Sequence, residues 1–142
     1  MHYAILPFLI LEVIMVTNDH CPVEATLELI GGKYKSLILW HLAGGKLRFN
    51  ELQKQLPSAT PKMLTQQLRE LEAQKLIHRE VFPVIRPSGE YSLTDLGKSL
   101  MPILVAMRDW GSEYLSKKNV KPCCFMIGSD PVHTATPQKG TL

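Results

Sequence analysis

Between Thr60 and Gln74 two populations of side chains interleave at helical spacing, and this interleaving limits the possible folds more than any other stretch. Leu64, Leu68 and Leu71 recur at i, i+4 and i+7, so an α-helix would gather them on one stripe that needs a core beneath it. Lys62, Thr65, Gln66 and Arg69 recur at i, i+3, i+4 and i+7 on a second stripe, opposite or oblique to the first. Thr60-Pro61 supplies the start signal, a capping hydroxyl followed by proline where no amide hydrogen is needed.

The neighbouring segments extend the pattern. Cys21-Pro22 opens a helix over about Val23 to Ile30, stopped by Gly31-Gly32, and a second helix runs from about Lys33 to Leu42 before Gly44-Gly45. His41 reads as a helix-surface or edge residue, and no second histidine or cysteine stands at ligand spacing, so neither metal nor other cofactor is expected. Lys46-Leu47-Arg48 can add an edge to a small sheet. Asn50, with Gln53 three residues on, reads as the cap of a short third helix that buries Leu52 and Leu56. Ile77 to Pro83 and Glu90 to Leu93 read as antiparallel strands around the turn Ile85-Arg86-Pro87-Ser88-Gly89. Thr94-Asp95 then starts a final helix to about Lys117, with Leu96, Leu100, Ile103, Leu104, Met107, Trp110 and Leu115 as its apolar stripe. The order spells a mainly α fold with a small β-hairpin wing, a winged helix-turn-helix.

Such a fold makes the Lys62 stripe a candidate reader of duplex DNA. Arg can donate two hydrogen bonds to guanine, Gln can pair with adenine in the same bidentate way, and Lys and Thr can reach phosphates or base edges. Thr60 at the helix start and Arg86 at the wing tip complete the candidate contact set, Arg86 toward a minor groove or a phosphate. A solvated polar face would look similar on residues alone; the short preceding helix and tight connection favour a recognition helix. Charge agrees in its distribution. The net charge of +3 is modest, but from Lys33 to Arg79 nine basic residues face three acids, whereas the first 32 residues hold acids and no lysine or arginine.

No phosphate loop, paired-carboxylate pocket, metal cluster or nucleophile elbow is present, and a small basic module gives no sign of a substrate cavity, so the chain is not read as an enzyme. The rival class is a winged-helix protein-interaction module without specific DNA binding, which would have no use for the cationic stripe. Three cysteines without a disulfide framework point to a reducing compartment, the cytoplasm by default. The run Tyr3 to Val16 is apolar but shorter than the ~20 residues of a membrane span, and it contains Pro7 and Glu12. Without a positive flank or cleavage site it does not read as a signal peptide, and no membrane partner is expected. An interfacial anchor, a helix packed on the domain or a dimer partner, and an upstream start with translation beginning at Met15 remain open, the last being favoured. Residues 1–20 are therefore set apart as a leader, 21–118 as the domain, and 119–142, rich in Pro, Gly, Ser and Thr without periodicity, as an expected disordered tail.

Several runs agree in order and spacing with one family. Cys21-Pro22-Val23-Glu24, Ile30-Gly31-Gly32-Lys33-Tyr34, Ile38-Leu39-Trp40-His41-Leu42, Arg48-Phe49-Asn50-Glu51-Leu52, Lys62 through Leu71, Glu90-Tyr91-Ser92-Leu93-Thr94 and Gly97 resemble the HxlR family of bacterial transcriptional regulators, relatives of the MarR group. The resemblance covers about Cys21 to Tyr114. It implies a homodimer through the first and last helices that binds a two-fold double-stranded DNA operator, with half-sites about one DNA turn apart. It leaves the regulatory sign and any small-molecule effector open. It also makes Cys21 the candidate redox or electrophile switch, because some relatives use a cysteine there and a helix N-terminus favours a thiolate, although Glu24 opposes that effect. An incidental thiol is the alternative, and Cys123-Cys124 are read as incidental or weak resolving partners. Tyr34 stands where the family usually has Trp. At the wing, Arg86-Pro87-Ser88-Gly89 replaces the usual Pro-Pro-Arg-Val run, which moves the arginine across the proline.

Overall fold

The structure, a computed structural model, describes residues 21–83 and 88–122. The leader, Arg86, the Cys123-Cys124 pair and the expected disordered tail beyond Pro122 lie outside these residues. The chain divides at Gly31 into two compact units.

In the first unit the described element is α1 (Pro22–Ile30), with extended Cys21 at its N-cap and Pro22 in its first turn. At the other end the Gly31 amide donates to the Leu27 carbonyl at 2.6 Å. Val23 and Leu27, four residues apart on α1, are exposed.

The second unit contains α2 (Lys35–Leu42), β1 (Leu47–Arg48), α3 (Phe49–Gln55), α4 (Pro61–Ala73), β2 (Ile77–Phe82), β3 (Ser88–Leu93), α5 (Asp95–Ser99) and α6 (Met101–Lys117). Its sheet has the order β1-β3-β2, antiparallel throughout. The β2–β3 register runs from Ile77↔Leu93 to Phe82↔Ser88, while β1 contributes Leu47↔Tyr91 and Arg48↔Glu90. Ile38, Leu39, Leu52, Leu64, Leu68, Leu71, Leu76 and Ile77 are the largest fully buried side chains and form the core on which helices and sheet converge.

Three details depart from the sequence reading. Helix α3 starts at Phe49, not after Asn50: pairing with β3 keeps the backbone extended through Arg48, and the Glu51 carboxylate then accepts the Arg48 amide at 2.6 Å. His41 is not a surface or edge residue; it is 4% exposed, on a helix surrounded by core. The final helix is two helices, α5 and α6, joined at Leu100. Pro102 carries no amide hydrogen to continue a ladder, so it stands in the first turn of a new helix. The expected apolar stripe divides accordingly: Leu100 and Leu104 are buried, whereas Leu96, Ile103, Met107 and Trp110 are exposed.

The turn after α4 is stitched to the start of α5. Lys75 takes a left-handed backbone (φ 59°), and the Thr94 hydroxyl donates to the Lys75 carbonyl at 2.6 Å while accepting the Gly97 amide at 3.1 Å. A Cβ at Gly97 would collide with the Leu76 carbonyl, backbone that cannot yield without opening this junction. Around Gly111, inside α6, a Cβ meets nothing within 4 Å. The two glycines should therefore respond oppositely to alanine in chemical denaturation. Gly97→Ala is expected to lose about 1 to 3 kcal/mol or more, and Gly111→Ala to gain about 0.5 to 1 kcal/mol from helix propensity.

Candidate nucleic-acid interface

Helix α4 presents the site because its leucines leave it one way to sit. Leu64, Leu68 and Leu71 are buried, Lys62, Gln66 and Arg69 are exposed, and Thr65 is half-buried at the edge. Pro61, Lys62, Thr65, Gln66 and Arg69 line one open depression, so the stripe read from spacing is a contiguous surface. Among the described residues, neither Lys62 nor Arg69 forms an ion pair. Both cations are available to an anionic ligand.

Positioning begins at the helix start. The Thr60 hydroxyl accepts the Met63 amide at 3.2 Å, so this sequence-predicted contact residue is a helix cap with an exposed side chain. Thr65 spends its hydroxyl proton on the Pro61 carbonyl at 2.8 Å, leaving its oxygen as an acceptor and its methyl for apolar contact. The connection from α3 is pinned by side chains on both sides. Gln53 Nε2 donates to the Ala59 carbonyl at 2.6 Å, and the Tyr34 hydroxyl donates to the Ser58 carbonyl at 3.0 Å. Tyrosine at position 34 thus keeps an aromatic body in the core and gains a polar tip that fixes the turn.

Two acids share the helix with the stripe, Glu70 and Glu72, and the first of them is compensated from a neighbouring helix. Lys35 Nζ on α2 lies 2.8 Å from Glu70 Oε2, and Gln66 Nε2 donates to Glu70 Oε1 at 3.2 Å. The hydrogen bond from Lys35, then that from Gln66, holds the Glu70 carboxyl below its ordinary range. Glu70 therefore remains ionised and matched.

Arg79 was missed by sequence reasoning. It lines a second concavity with Phe49, Thr65, Arg69, Glu72, Gly89 and Tyr91, so a wing cation and a recognition-helix cation face the same space. Strand alternation held the signal: Arg79 lies two residues after Ile77, on the same face of β2, and that face meets the core beside α4. Gly89 leaves room for this placement: a Cβ there would stand 2.9 Å from Arg79 Nε, and the arginine side chain would have to shift.

Cys21 belongs to the other unit. Its thiol is exposed at the N-cap of α1 and makes no side-chain capping hydrogen bond of good geometry. The Glu24 amide, followed by the Val23 amide, still favours the thiolate and lowers the thiol below its ordinary value. Among the described residues no group of three His, Cys, Asp or Glu is arranged to hold a metal ion, and no helix is long and apolar enough to cross a membrane.

The HxlR-like helix-turn-helix family model matches residues 29–119. The HTH-type transcriptional regulator YdeP of Bacillus subtilis (strain 168) is 54% identical over 96 residues, spanning 68% of this chain and 75% of YdeP. YybR of the same organism, also an HTH-type transcriptional regulator, is 51% identical over 94 residues, 66% of this chain and 75% of YybR. Among solved structures, the redox regulator HypR in its oxidized form is 52% identical with a TM-score of 0.63, covering 66% of this chain and 96% of that one. HypR in its reduced form gives 50% identity and a TM-score of 0.64, over 66% of this chain and 92% of that one.

The first-turn amides of α1 have a measurable consequence at Cys21. Its alkylation rate should rise with pH around a midpoint below the ordinary thiol value, and in the chain unfolded by urea the midpoint should return upward. Equal midpoints in the two states, followed by mass spectrometry, would show that those amides do not act on the sulfur.

Proposed function

Since the chain belongs to the HxlR-like helix-turn-helix family and is a DNA-binding transcriptional regulator, we propose that residues 21–118 act as a homodimer on a two-fold operator. Helix α4 enters the major groove, where Gln66 and Arg69 read bases and Lys62, Thr65 and Thr60 hold the backbone or base edges. Arg86 remains a proposed wing contact, and Arg79 joins the set. The observation that carries this reading is the exposed, uncompensated stripe of α4 beside a wing cation. A winged-helix module devoted to protein partners would have no use for it.

Dimerisation through the first and last helices is supported by apolar faces on each. Ile103, Met107, Trp110 and Tyr114 recur at helical spacing along α6, with Trp110 69% exposed and stacked on Tyr114 at 5.3 Å, and α1 exposes Val23 and Leu27. A free thiol suits a cytoplasmic protein. Cys21 is the proposed redox or electrophile sensor, on the strength of its lowered thiol and the likeness to HypR, a redox regulator.

Binding can be measured by fluorescence anisotropy on operator duplexes recovered from bound genomic fragments. Arg69→Ala and Gln66→Ala should each lose about 1 to 3 kcal/mol of preference for operator over random duplex. Lys62→Ala should weaken both duplexes alike, and wild-type affinity should fall steeply as salt rises. Equal losses on the two duplexes for Arg69→Ala and Gln66→Ala would remove them from base reading, while salt-independent binding would remove DNA as the ligand.

Sensing has a separate readout. Diamide should change operator affinity of the wild type and leave Cys21→Ser unaffected; the same response in both proteins, or in neither, ends the sensor assignment.

A further inference from the structure

A glutamine side chain can meet a base in either sense of hydrogen bond, because its Nε2 donates and its Oε1 accepts. Which end Gln66 offers therefore depends on what holds it. One turn farther along α4, Glu70 Oε1 accepts from Gln66 Nε2 at 3.2 Å, while Glu70 Oε2 lies 2.8 Å from Lys35 Nζ on α2. The hydrogen bond from Lys35, then that from Gln66, keeps the Glu70 carboxyl ionised, and an ionised carboxyl accepts hydrogen bonds without donating any. It takes the amino end of Gln66; the carbonyl end turned toward it would set two acceptors face to face. Lys35, whose side chain is 13% exposed, fixes the carboxylate from the neighbouring helix. Among the described residues Lys62 and Arg69 form no ion pair, so neither draws Glu70 away.

Gln66 is exposed, so with Nε2 turned to Glu70 its Oε1 and its second N–H are left for a ligand. A carbonyl oxygen needs a donor, and the bases differ on this point in the major groove. Adenine N6 and cytosine N4 carry amino groups there, whereas guanine and thymine present acceptors. Adenine also offers N7 to the second N–H, which makes it the better match of the two. Turning the amide over to meet a guanine O6 would break the hydrogen bond to Glu70 and leave its carboxylate facing the Gln66 carbonyl.

We propose that Glu70 is a positioning residue for base choice: by holding the Gln66 amide in one sense, it directs that side chain to a base with a major-groove amino group, adenine ahead of cytosine, and against guanine and thymine. The inference deepens the base-reading role of Gln66 and rests on it. Glu70 touches no base in this arrangement and acts through Gln66 alone.

The test is fluorescence anisotropy of the full chain on operator duplexes carrying single transitions, A·T to G·C or the reverse, since a transition exchanges an amino group and a carbonyl at one place in the groove. The pair that Gln66 contacts is the one whose transition weakens wild type about tenfold and leaves Gln66→Ala unaffected. At that pair, deleting the amino group alone, with purine for adenine or 2-pyrimidinone for cytosine, should weaken wild type by a similar factor. Glu70→Ala frees the amide to turn, so the transition effect should shrink to about twofold. Affinity of that variant for random duplex should stay at or above wild type, because an anion has left the DNA face. A merely structural role for Glu70 would instead lower affinity on every duplex and keep the transition effect whole. Glu70→Gln, which can meet Gln66 with either end of its own amide, should relax the preference in the same way and serves if Glu70→Ala does not fold. An undiminished transition effect in both Glu70 variants overturns the inference and leaves Gln66 a base reader. So does a Gln66-dependent loss that follows deletion of the carbonyl, with 2-aminopurine for guanine or 5-methyl-2-pyrimidinone for thymine, and not of the amino group. If no transition effect depends on Gln66, base reading by Gln66 is overturned and the role of Glu70 with it.

Discussion

Burial of Leu64, Leu68 and Leu71 fixes where every other group of the site can point. Each buried leucine is worth about 1.5 to 3 kcal/mol relative to exposure, and the three lie on a single stripe, so rotation of α4 about its axis would expose them together. The polar stripe is directed outward as a consequence. Translation along the axis is opposed separately, by Gln53 and Tyr34, which occupy the Ala59 and Ser58 carbonyls of the incoming turn. Orientation thus comes from apolar area, and register from a few directional bonds whose partners are backbone groups that cannot wander.

The wing depends on the same core through a different device. A two-stranded ribbon alone is marginal in water, but β1 adds a third strand at Tyr91 and Glu90, and Thr94 ties the end of β3 to the turn that follows α4. Ile77 buries the base of β2 while Arg79, on the same strand face farther out, emerges beside α4. The alternation that anchors the ribbon also aims its cation. Gly89 across the ladder supplies the room, since any side chain there would contest the space that Arg79 occupies.

Local signals recovered much of this and failed where tertiary contacts intervened. The α4 stripe was legible because a long amphipathic helix has one low-energy orientation, and the β1 edge was legible because the run between Gly45 and the next helix is too short to stand alone but can pair with a neighbouring strand. Asn50 misled because capping preference is a local rule, whereas strand pairing at Arg48 determines where the backbone leaves the extended region. His41 misled because α2 is apolar over most of its circumference, which leaves no face from which exposure can be inferred. The break at Leu100 was carried by Pro102 and was hidden by a hydrophobic repeat that runs through both helices. Arg79 was visible as a charge but became part of a site only once the sheet was placed against α4.

The Lys35–Glu70 pair has a role that stability alone does not account for. With Glu70 partly exposed, solvent screens such a pair and leaves it too weak to hold two helices together. An unmatched carboxylate at Glu70, however, would stand beside Gln66 and add to the charge of Glu72 on the same helix, repelling the phosphates that Lys62 and Arg69 approach in the proposed docking. Neutralising it from α2 removes that repulsion and leaves one Glu70 oxygen to hold the Gln66 amide. Base reading and charge compensation then meet at one carboxylate of α4, held by Lys35 from α2, a helix that the DNA does not touch in the proposed docking.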